Sequence, residues 1–428
     1  MKRLKNFSRE QFESWISQRQ EPGWFTDLRR QALERFHALG YPDRGTEAWR
    51  RLPWDKISFE AYPPSVKVKE FIPQNAEELK RQGVILVSLD EALRSHSDLL
   101  KQYWSKVVRP DEGKFGALAT AFTTHGAFLY IPSVELPQPI SIQWDGKIAG
   151  ETIFPHLLIV AQPNSRAAII VERNSSDEEK PGMVYGIIEA LAARDSQLDI
   201  LTIQQYGRNV DSFVTQRVKL EQGSQVQTVL LGLGSRIAFS DIETILAESG
   251  ANAELLGFFF GEKNQHFESH TLQNHQGAHT QSDLLFKSAL RDDARSVYYG
   301  LIKILKGAQQ TNAYQANRNL LLGKGAKADS VPVLEIEADD VRCTHGATVG
   351  PVDEEQKFYL MCRGLDQATA EQLLLYGFFE QGIERVRHEG LREVVRKRLT
   401  EKIEQGTKHM GIWGQVLKFD KLKDGVLG

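Results

Sequence analysis

The spacing of apolar positions changes twice along the chain and divides it into three parts. Up to about residue 110, apolar residues recur at helical spacing, as in Phe25, Leu28, Ala32, Leu33 and Phe36. From about 115 to 345, short runs of β-branched and aliphatic residues take over, which is typical of strands. After Asp353 the helical spacing returns. We therefore predict an N-terminal mainly helical domain at 1–110, a β core at 111–350 and a C-terminal helical domain at 351–428.

The β part contains a repeat. A turn residue that tolerates left-handed backbone, usually followed by a small residue, recurs at Asn164, Asp195, Gly223, Gly250, Gly277, Gly307 and Gly325. The intervals are 31, 28, 27, 27, 30 and 18 residues. Intervals of this length predict strands that stack as the coils of a β-helix or solenoid, whereas propeller blades repeat at roughly 40 to 50 residues. Ordinary Gly-Ala and Gly-Ser turns of an all-β protein are the alternative interpretation.

Helices are expected throughout the C-terminal part. Asp353 and Asp366 each precede a helical pattern, at positions where a carboxylate caps a helix. Residues 368–386 place apolar side chains largely along one face, and residues 388–403 form an amphipathic pattern. Such faces pack either against their own domain or against a partner, and the pattern leaves both possibilities open.

Composition argues against several classes of function. The net charge is only -3, from 53 basic and 56 acidic residues, so we expect neither nucleic acid nor an anionic membrane as partner. No run of 18 apolar residues offers a membrane span. The basic N-terminus lacks the apolar stretch of a signal peptide, and the two cysteines, Cys343 and Cys362, are interpreted as reduced thiols. These features predict a cytoplasmic protein.

Familiar catalytic motifs are missing from the sequence. It contains no complete phosphate-binding loop, dinucleotide fingerprint, nucleophile elbow or zinc-protease motif, so we do not expect an enzyme. The alternative is a carbohydrate-active enzyme built on a β-helix, which would need paired carboxylates in a groove. No carboxylate cluster stands out at strand spacing.

Two groups of residues are candidate metal ligands. Cys343 and His345 project from one face if they lie in a strand, and a thiolate with an imidazole suits the iron of a cluster. A buried cysteine and a structural histidine are the alternative. The second group is His266, His270, His275 and His279, with Glu268 between the first two. These histidines could instead hydrogen-bond within a strand ladder. Two thiols cannot supply the four ligands of an ordinary cluster, so a second chain would have to contribute ligands.

Several ordered motifs resemble the SufB/SufD family. They are the run 334–350, which contains Arg342-Cys343-Thr344-His345-Gly346-Ala347-Thr348, then Phe358-Tyr359-Leu360 and Arg363-Gly364-Leu365, and upstream His270-Thr271-Leu272, Leu285-Phe286-Lys287 and Thr311-Asn312-Ala313-Tyr314-Gln315. The resemblance spans roughly residues 110 to 390. His-Gly-Ala-Thr at 345–348 is similar to the SufD branch, because SufB usually has His-Glu-Ala-Thr there.

The resemblance implies both a fold and a role. The fold is a mostly β structure, with a right-handed parallel β-helix core flanked by N-terminal and C-terminal helical regions. The role is that of a non-catalytic scaffold subunit in the SUF iron–sulfur cluster assembly complex. The subunit would pair with SufB through the β-helix and bind the SufC ATPase through its C-terminal helices.

The same resemblance suggests site residues. It implies that His345, with Cys343 beside it, contacts a transient cluster shared with SufB. Our candidates for the SufC docking face are Leu373, Leu374, Phe378 and Phe379. The sequence does not decide between a homodimer and the complex, whether a flavin binds, what Cys362 does, or whether His345 or the His266–His279 group contacts metal.

Overall fold

The computed structural model describes residues 6–65, 76–146, 148–176 and 180–405. The predictions for residues 1–5 and 406–428 therefore lie outside the described residues. The domain limits at 110/111 and 350/351 stay predictions. Among the described residues, no helix is both long enough and apolar enough to cross a membrane.

Strands dominate the middle of the chain. In order they are β1 (Ile85–Ser88), β2 (His125–Ile131), β3 (Ile140–Trp144), β4 (Thr152–Ile153), β5 (Pro155–Ala161), β6 (Arg166–Asn174), β7 (Gly182–Ala192), β8 (Gln197–Gln205), β9 (Val210–Leu220), β10 (Gln225–Gly232), β11 (Ile237–Leu246), β12 (Asn252–Gly261), β13 (His266–His275), β14 (Gln281–Leu290), β15 (Arg295–Ile304), β16 (Thr311–Leu321), β17 (Lys327–Ile336) and β18 (Val341–Pro351).

From β5 onward the chain passes alternately between two sheets. Sheet 1 runs in the order β1-β2-β5-β7-β9-β11-β13-β15-β17, with β4 beside β7, and sheet 2 runs β18-β16-β14-β12-β10-β8-β6-β3. Neighbouring strands pair in parallel, apart from the antiparallel pair β1–β2. Each coil thus adds one strand to each sheet, and about eight coils stack into a parallel β-solenoid. The predicted β-helix core with helical ends is confirmed.

The corners explain the sequence repeat and correct one part of it. Asn164, Asp195, Gly223 and Gly250 all adopt positive φ, between 55° and 76°, where the chain passes from sheet 1 to sheet 2. At the next two of these corners the left-handed residue comes later, at His279 and Gln310. Gly325 was wrongly grouped with this series, because it lies between β16 and β17 at the opposite corner. The irregular interval of 18 residues arises from this change of corner.

The solenoid interior is apolar in the early coils and increasingly polar in the later ones. Side chains such as Leu157, Ile159, Ile169 and Ile200 fill the early coils. In β13 the inward positions next to Phe267 are Ser269, Thr271, Gln273 and His275, all buried. Polar side chains buried in this way need partners inside the solenoid.

Helices cover the outer faces of both sheets. Their bounds are α1 (Arg9–Ile16), α2 (Gly23–Ala38), α3 (Ala76–Arg81), α4 (Leu89–Ser95), α5 (Ser97–Tyr103), α6 (Lys114–Ala121), α7 (Glu354–Cys362), α8 (Gln367–Ile383) and α9 (Glu389–Gln405), with a 3₁₀ turn at Trp54–Lys56. The N-terminal elements pack a largely aromatic cluster on sheet 1, which includes Phe213 and Phe239.

The C-terminal helices lie on sheet 2. Asp353 and Asp366 accept hydrogen bonds from the first-turn amides of α7 and α8, as predicted. Helices α8 and α9 bury apolar side chains against β8, β10, β12 and β14. Ion pairs tie this region to the solenoid: Arg387, between α8 and α9, has its Nη2 2.6 Å from Asp199 Oδ1, and Arg398 of α9 has its Nη2 2.7 Å from Glu172 Oε2.

Candidate functional site

The last coil leaves the solenoid open at one end. Within the described residues, β17 pairs only with β15 in sheet 1, and β18 pairs only with β16 in sheet 2. Edge strands present unpaired backbone donors and acceptors to any strand that approaches them. Ile336 and Val349 add exposed apolar side chains here, 42% and 46% accessible respectively.

Cys343 and His345 lie together on this open end. Strand β18 pairs in register with β16, which sets Cys343 opposite Ala313 and His345 opposite Gln315. Because side chains alternate along a strand, both project from the same face, as the sequence predicts. Cys343 is half-buried, and burial raises the pKa of its thiol to about 11, whereas His345 is exposed. The thiol is therefore protonated near neutral pH and would lose a proton on binding a metal.

A buried hydrogen-bonded chain lies in the coils behind His345. Thr271 Oγ1 donates to the Tyr298 hydroxyl at 3.1 Å, and that hydroxyl donates to Gln315 Oε1 at 2.9 Å. Gln315 Nε2 donates to the Gly300 carbonyl at 3.3 Å. Gln315 is thus fixed directly beside His345 in the ladder. These hydrogen bonds were not predicted from the sequence, where their only signal is the polar residues at inward strand positions.

The four clustered histidines do not form one site. His266 Nε2 and His270 Nε2 lie 2.9 and 3.0 Å from the two carboxylate oxygens of Glu268. Burial opposes ionisation of Glu268, but the hydrogen bonds from both imidazoles outweigh it and lower the pKa of Glu268. The Trp49 ring covers His270, with 4.8 Å between ring centroids.

The other two histidines point elsewhere. His275 lies inside the solenoid, where its ring nitrogens are each 2.8 Å from the hydroxyls of Thr280 and Ser282, and His279 is exposed at a corner. Among the described residues, no group of three or more His, Cys, Asp or Glu side chains is placed to hold a metal ion. Hydrogen bonds to neighbouring side chains hold the rings of His266, His270 and His275 in these positions.

The C-terminal helices present an apolar surface, though not only the predicted one. Phe379 is 2% exposed and packs edge-on against Phe258, so it belongs to the core. Leu373, Leu374 and Phe378 are half-buried. Below them, Lys287 donates to the Phe378 carbonyl, and its ammonium lies 4.6 Å from the Phe378 ring centroid.

Helix α7 adds exposed apolar residues that the docking prediction missed. It has no buried residue, and Phe358, Tyr359 and Met361 are 68%, 57% and 39% accessible. Cys362 at its end is exposed too. The sequence signal was the run of apolar residues at 358–361, which follows a charged first turn. Together, Phe358, Tyr359, Met361, Leu373, Leu374 and Phe378 are called the helical apolar surface below.

Comparisons with known proteins agree with the motifs. Residues 144–378 match the family described as SUF system FeS cluster assembly, SufBD core domain, and residues 65–142 match the SufBD protein N-terminal region. The iron-sulfur cluster assembly protein SufD of Bacillus subtilis is 29% identical over 93% of this chain and 98% of its own length. SufB of the same organism is 24% identical, covering 88% of this chain and 89% of its own.

A further relative gives the same result. An iron-sulfur cluster assembly SufBD family protein of Staphylococcus saprophyticus is 26% identical over 85% of this chain and 86% of its own. The core-domain match alone covers more than half of the 428 residues. The open β-solenoid, with Cys343 and His345 on its last strand, is thus that of a member of the SufBD family of the SUF iron–sulfur cluster assembly system.

Proposed function

We propose that this chain is a non-catalytic scaffold subunit that pairs with SufB, binds the SufC ATPase and supports iron–sulfur cluster assembly between subunits. The observation that carries the proposal is the position of Cys343 and His345, side by side on the open last strand. A thiol and an imidazole supply two of the four ligands of an ordinary cluster, and at an unpaired edge a second chain can approach to supply the others.

The open end is the surface proposed for SufB. Strands β17 and β18 offer free backbone edges, to which another strand can add by hydrogen bonding. Ile336 and Val349 supply apolar contact beside those edges. The similarity to SufB over 88% of this chain supports a partner with a comparable solenoid. A homodimer through the same edges is the second arrangement, because one edge can pair with a copy of itself around a two-fold axis.

The cluster is proposed as cargo held between the chains. His345 and Cys343 would provide two ligands, and an ordinary cluster takes four, so SufB would provide the others. Since the Cys343 thiol has a pKa of about 11, binding iron must release a proton, which makes binding tighter as the pH rises. Binding of a flavin and the role of Cys362 stay undecided.

The helical apolar surface is proposed for SufC. Its aromatic side chains Phe358 and Tyr359 stand free of the solenoid on α7, while α8 and α9 are anchored on sheet 2. Docking there would connect SufC to the solenoid through α8. We infer that SufC hydrolyses ATP and that this chain transmits the resulting movement. The family membership favours this role over a β-helix carbohydrate-active enzyme, and a cytoplasmic location stays a prediction.

The test is co-purification followed by a cluster assay. The tagged chain, expressed with SufB and SufC, should retain both in a defined ratio. His345→Ala should keep both partners but reduce the cluster that forms on the complex by at least about tenfold, as expected for loss of a metal ligand. His279→Asn, at an exposed corner, is the control and should form cluster normally. Recovery of the chain alone, or normal cluster on the His345→Ala complex, would refute the proposal.

A further inference from the structure

A buried arginine lies inside the solenoid near its first coils. Arg173 is on β6, between Trp144 of β3 and Gln204 of β8 in the ladder of sheet 2. Ile169 and Val171 belong to the interior core, and every second side chain of a strand points to the same face. The Arg173 side chain therefore points inward. The residue is only 5% exposed.

Arg173 makes no hydrogen bond or ion pair within the described part of the chain, and its Nε is buried without an acceptor. The other two buried arginines differ in this respect. Arg29 is paired with Glu21, and Arg217 with Asp241. A guanidinium does not lose its proton at physiological pH, and an uncompensated buried charge is strongly destabilising.

The neighbouring phenol does not supply the missing charge. Burial lowers the pKa of Arg173, and this effect outweighs the opposing interaction with the nearby Tyr206. Burial also raises the pKa of Tyr206, so its hydroxyl stays protonated and neutral. Arg173 therefore remains a cation without a counter-charge from these residues.

A small cavity with a mainly apolar lining adjoins Arg173, and a minority of the side chains around it are polar. It has a volume of about 20 Å³, and its polar lining consists of Arg173, Thr202, Gln204, Ser212 and Ser240. The Thr202 hydroxyl is also buried without a partner. Hydroxyl groups can turn their hydrogens toward an acceptor, and Phe259 and Phe267 close the apolar side. The space accommodates one species about the size of a water molecule.

We propose that Arg173 and the hydroxyls around it bind a single small inorganic anion, of the size of a halide, inside the β-solenoid. An anion supplies the missing negative charge and accepts hydrogen bonds from the guanidinium and from Thr202. A water molecule would fill the same space but leave the cation uncompensated. The cavity lies at least three coils from Cys343 and His345. The anion proposal therefore does not depend on the proposed function.

Anomalous diffraction tests the proposal directly. Crystals of the full chain grown in bromide should show a bromide peak within hydrogen-bonding distance of the Arg173 guanidinium. A water molecule at that position, with bromide only on the protein surface, would overturn the proposal. This measurement uses the wild-type protein, so it remains decisive if a variant fails to fold.

Thermal unfolding gives a second, independent measurement. Replacing chloride by gluconate at constant ionic strength should lower the melting temperature of the wild type, because an ion that binds only the folded state stabilises it. Arg173→Met should lose that dependence on chloride. Arg194→Met is the control: Arg194 is 65% exposed beside Asp195, and its variant should respond like the wild type. An equal response in all three proteins would contradict a bound anion.

Discussion

At the scale of single residues, one guanidinium joins the N-terminal helices to the chain that enters the solenoid. Arg29 of α2 is fully buried and donates to both carboxylate oxygens of Glu21, at 2.8 and 2.9 Å. It also donates to the carbonyls of Ala121 and Thr123, each at 3.0 Å. Burial lowers the pKa of Arg29 to about 10, which leaves it charged at neutral pH. Its four hydrogen bonds thus compensate for its desolvation.

Removal of the positive charge of Arg29 should destabilise the folded protein strongly. We expect Arg29→Met to lower the free energy of unfolding by about 3–5 kcal/mol, because it leaves two carbonyls without their donor and leaves Glu21 with Arg19 as its remaining partner. Arg30→Met is the matched control, since Arg30 pairs with Glu13 at the surface at 3.1 Å, and it should destabilise the fold far less than Arg29→Met does. Urea unfolding followed by tryptophan fluorescence measures both. Equal losses for the two variants would contradict the assigned role.

His275 gives the fold a defined sensitivity to acid. Burial lowers its pKa from 6.5 to about 4. The unfolded chain therefore takes up the proton first, so stability is complete above about pH 6.5 and falls as the pH drops toward 4, by about 3 kcal/mol. His275→Gln should lack this part of the pH dependence. Urea unfolding at pH 8, 6 and 5 would show it, and an identical slope in both proteins would exclude the assignment.

At the scale of elements, α7 and α8 carry aromatic residues with opposite environments. Phe379 of α8 packs on Phe258 of β12, whereas Phe358 of α7 is 68% exposed. Lys287 of β14 fixes the middle of α8 through the Phe378 carbonyl. Helix α8 is therefore part of the folded body, and α7 is a surface feature attached to it.

Substitutions of these two phenylalanines should have separate effects, one on stability and the other on SufC binding. Phe379→Ala should cost about 3–5 kcal/mol of unfolding free energy, because it leaves a cavity in the core. Phe358→Ala should change stability by about 0.5 kcal/mol or less. If the helical apolar surface binds SufC, Phe358→Ala should still reduce SufC retention in a pull-down. Full retention, with unchanged stability, would move the SufC site away from α7.

The sequence predicts the elements better than their packing. The apolar runs at 157–160, 168–171 and 198–203 fall in β5, β6 and β8 because the early coils are apolar inside. Later strands carry inward polar residues such as Thr271 and Gln273, which weaken the pattern. Capping by Asp353 and Asp366 was predictable because it is local. The burial of Phe379 was not, because it depends on strands more than a hundred residues away.

At the scale of the whole molecule, the two ends of the solenoid differ. Helices and the antiparallel strand β1 surround the first coils, while the last strands, β17 and β18, keep open edges. The position of Cys343 and His345 on one face was predictable from strand alternation. Their place at an open end was not, since it follows from where the stacking stops.

A charge on the open edge should block pairing. Val349 is 46% exposed on β18, so Val349→Lys should leave the melting temperature nearly unchanged. Because a lysine on an edge strand opposes strand addition, it should reduce SufB retention at least about tenfold. Gln276→Lys adds the same charge at an exposed corner and serves as the control. Equal SufB retention by the two variants would place the SufB interface elsewhere.

The regular repeat of the corners fixes the length of the solenoid. Coils stack at the spacing of neighbouring strands, so each adds about 4.8 Å to the distance between the N-terminal helices and His345. The corner residues Gly223 and Gly250 lie 27 positions apart in equivalent backbone conformations. Removing one such interval would shorten the rod by one step and leave both ends intact. The distance between the two ends of the solenoid is therefore a whole number of coil spacings. Two chains with similar numbers of coils can align their ends.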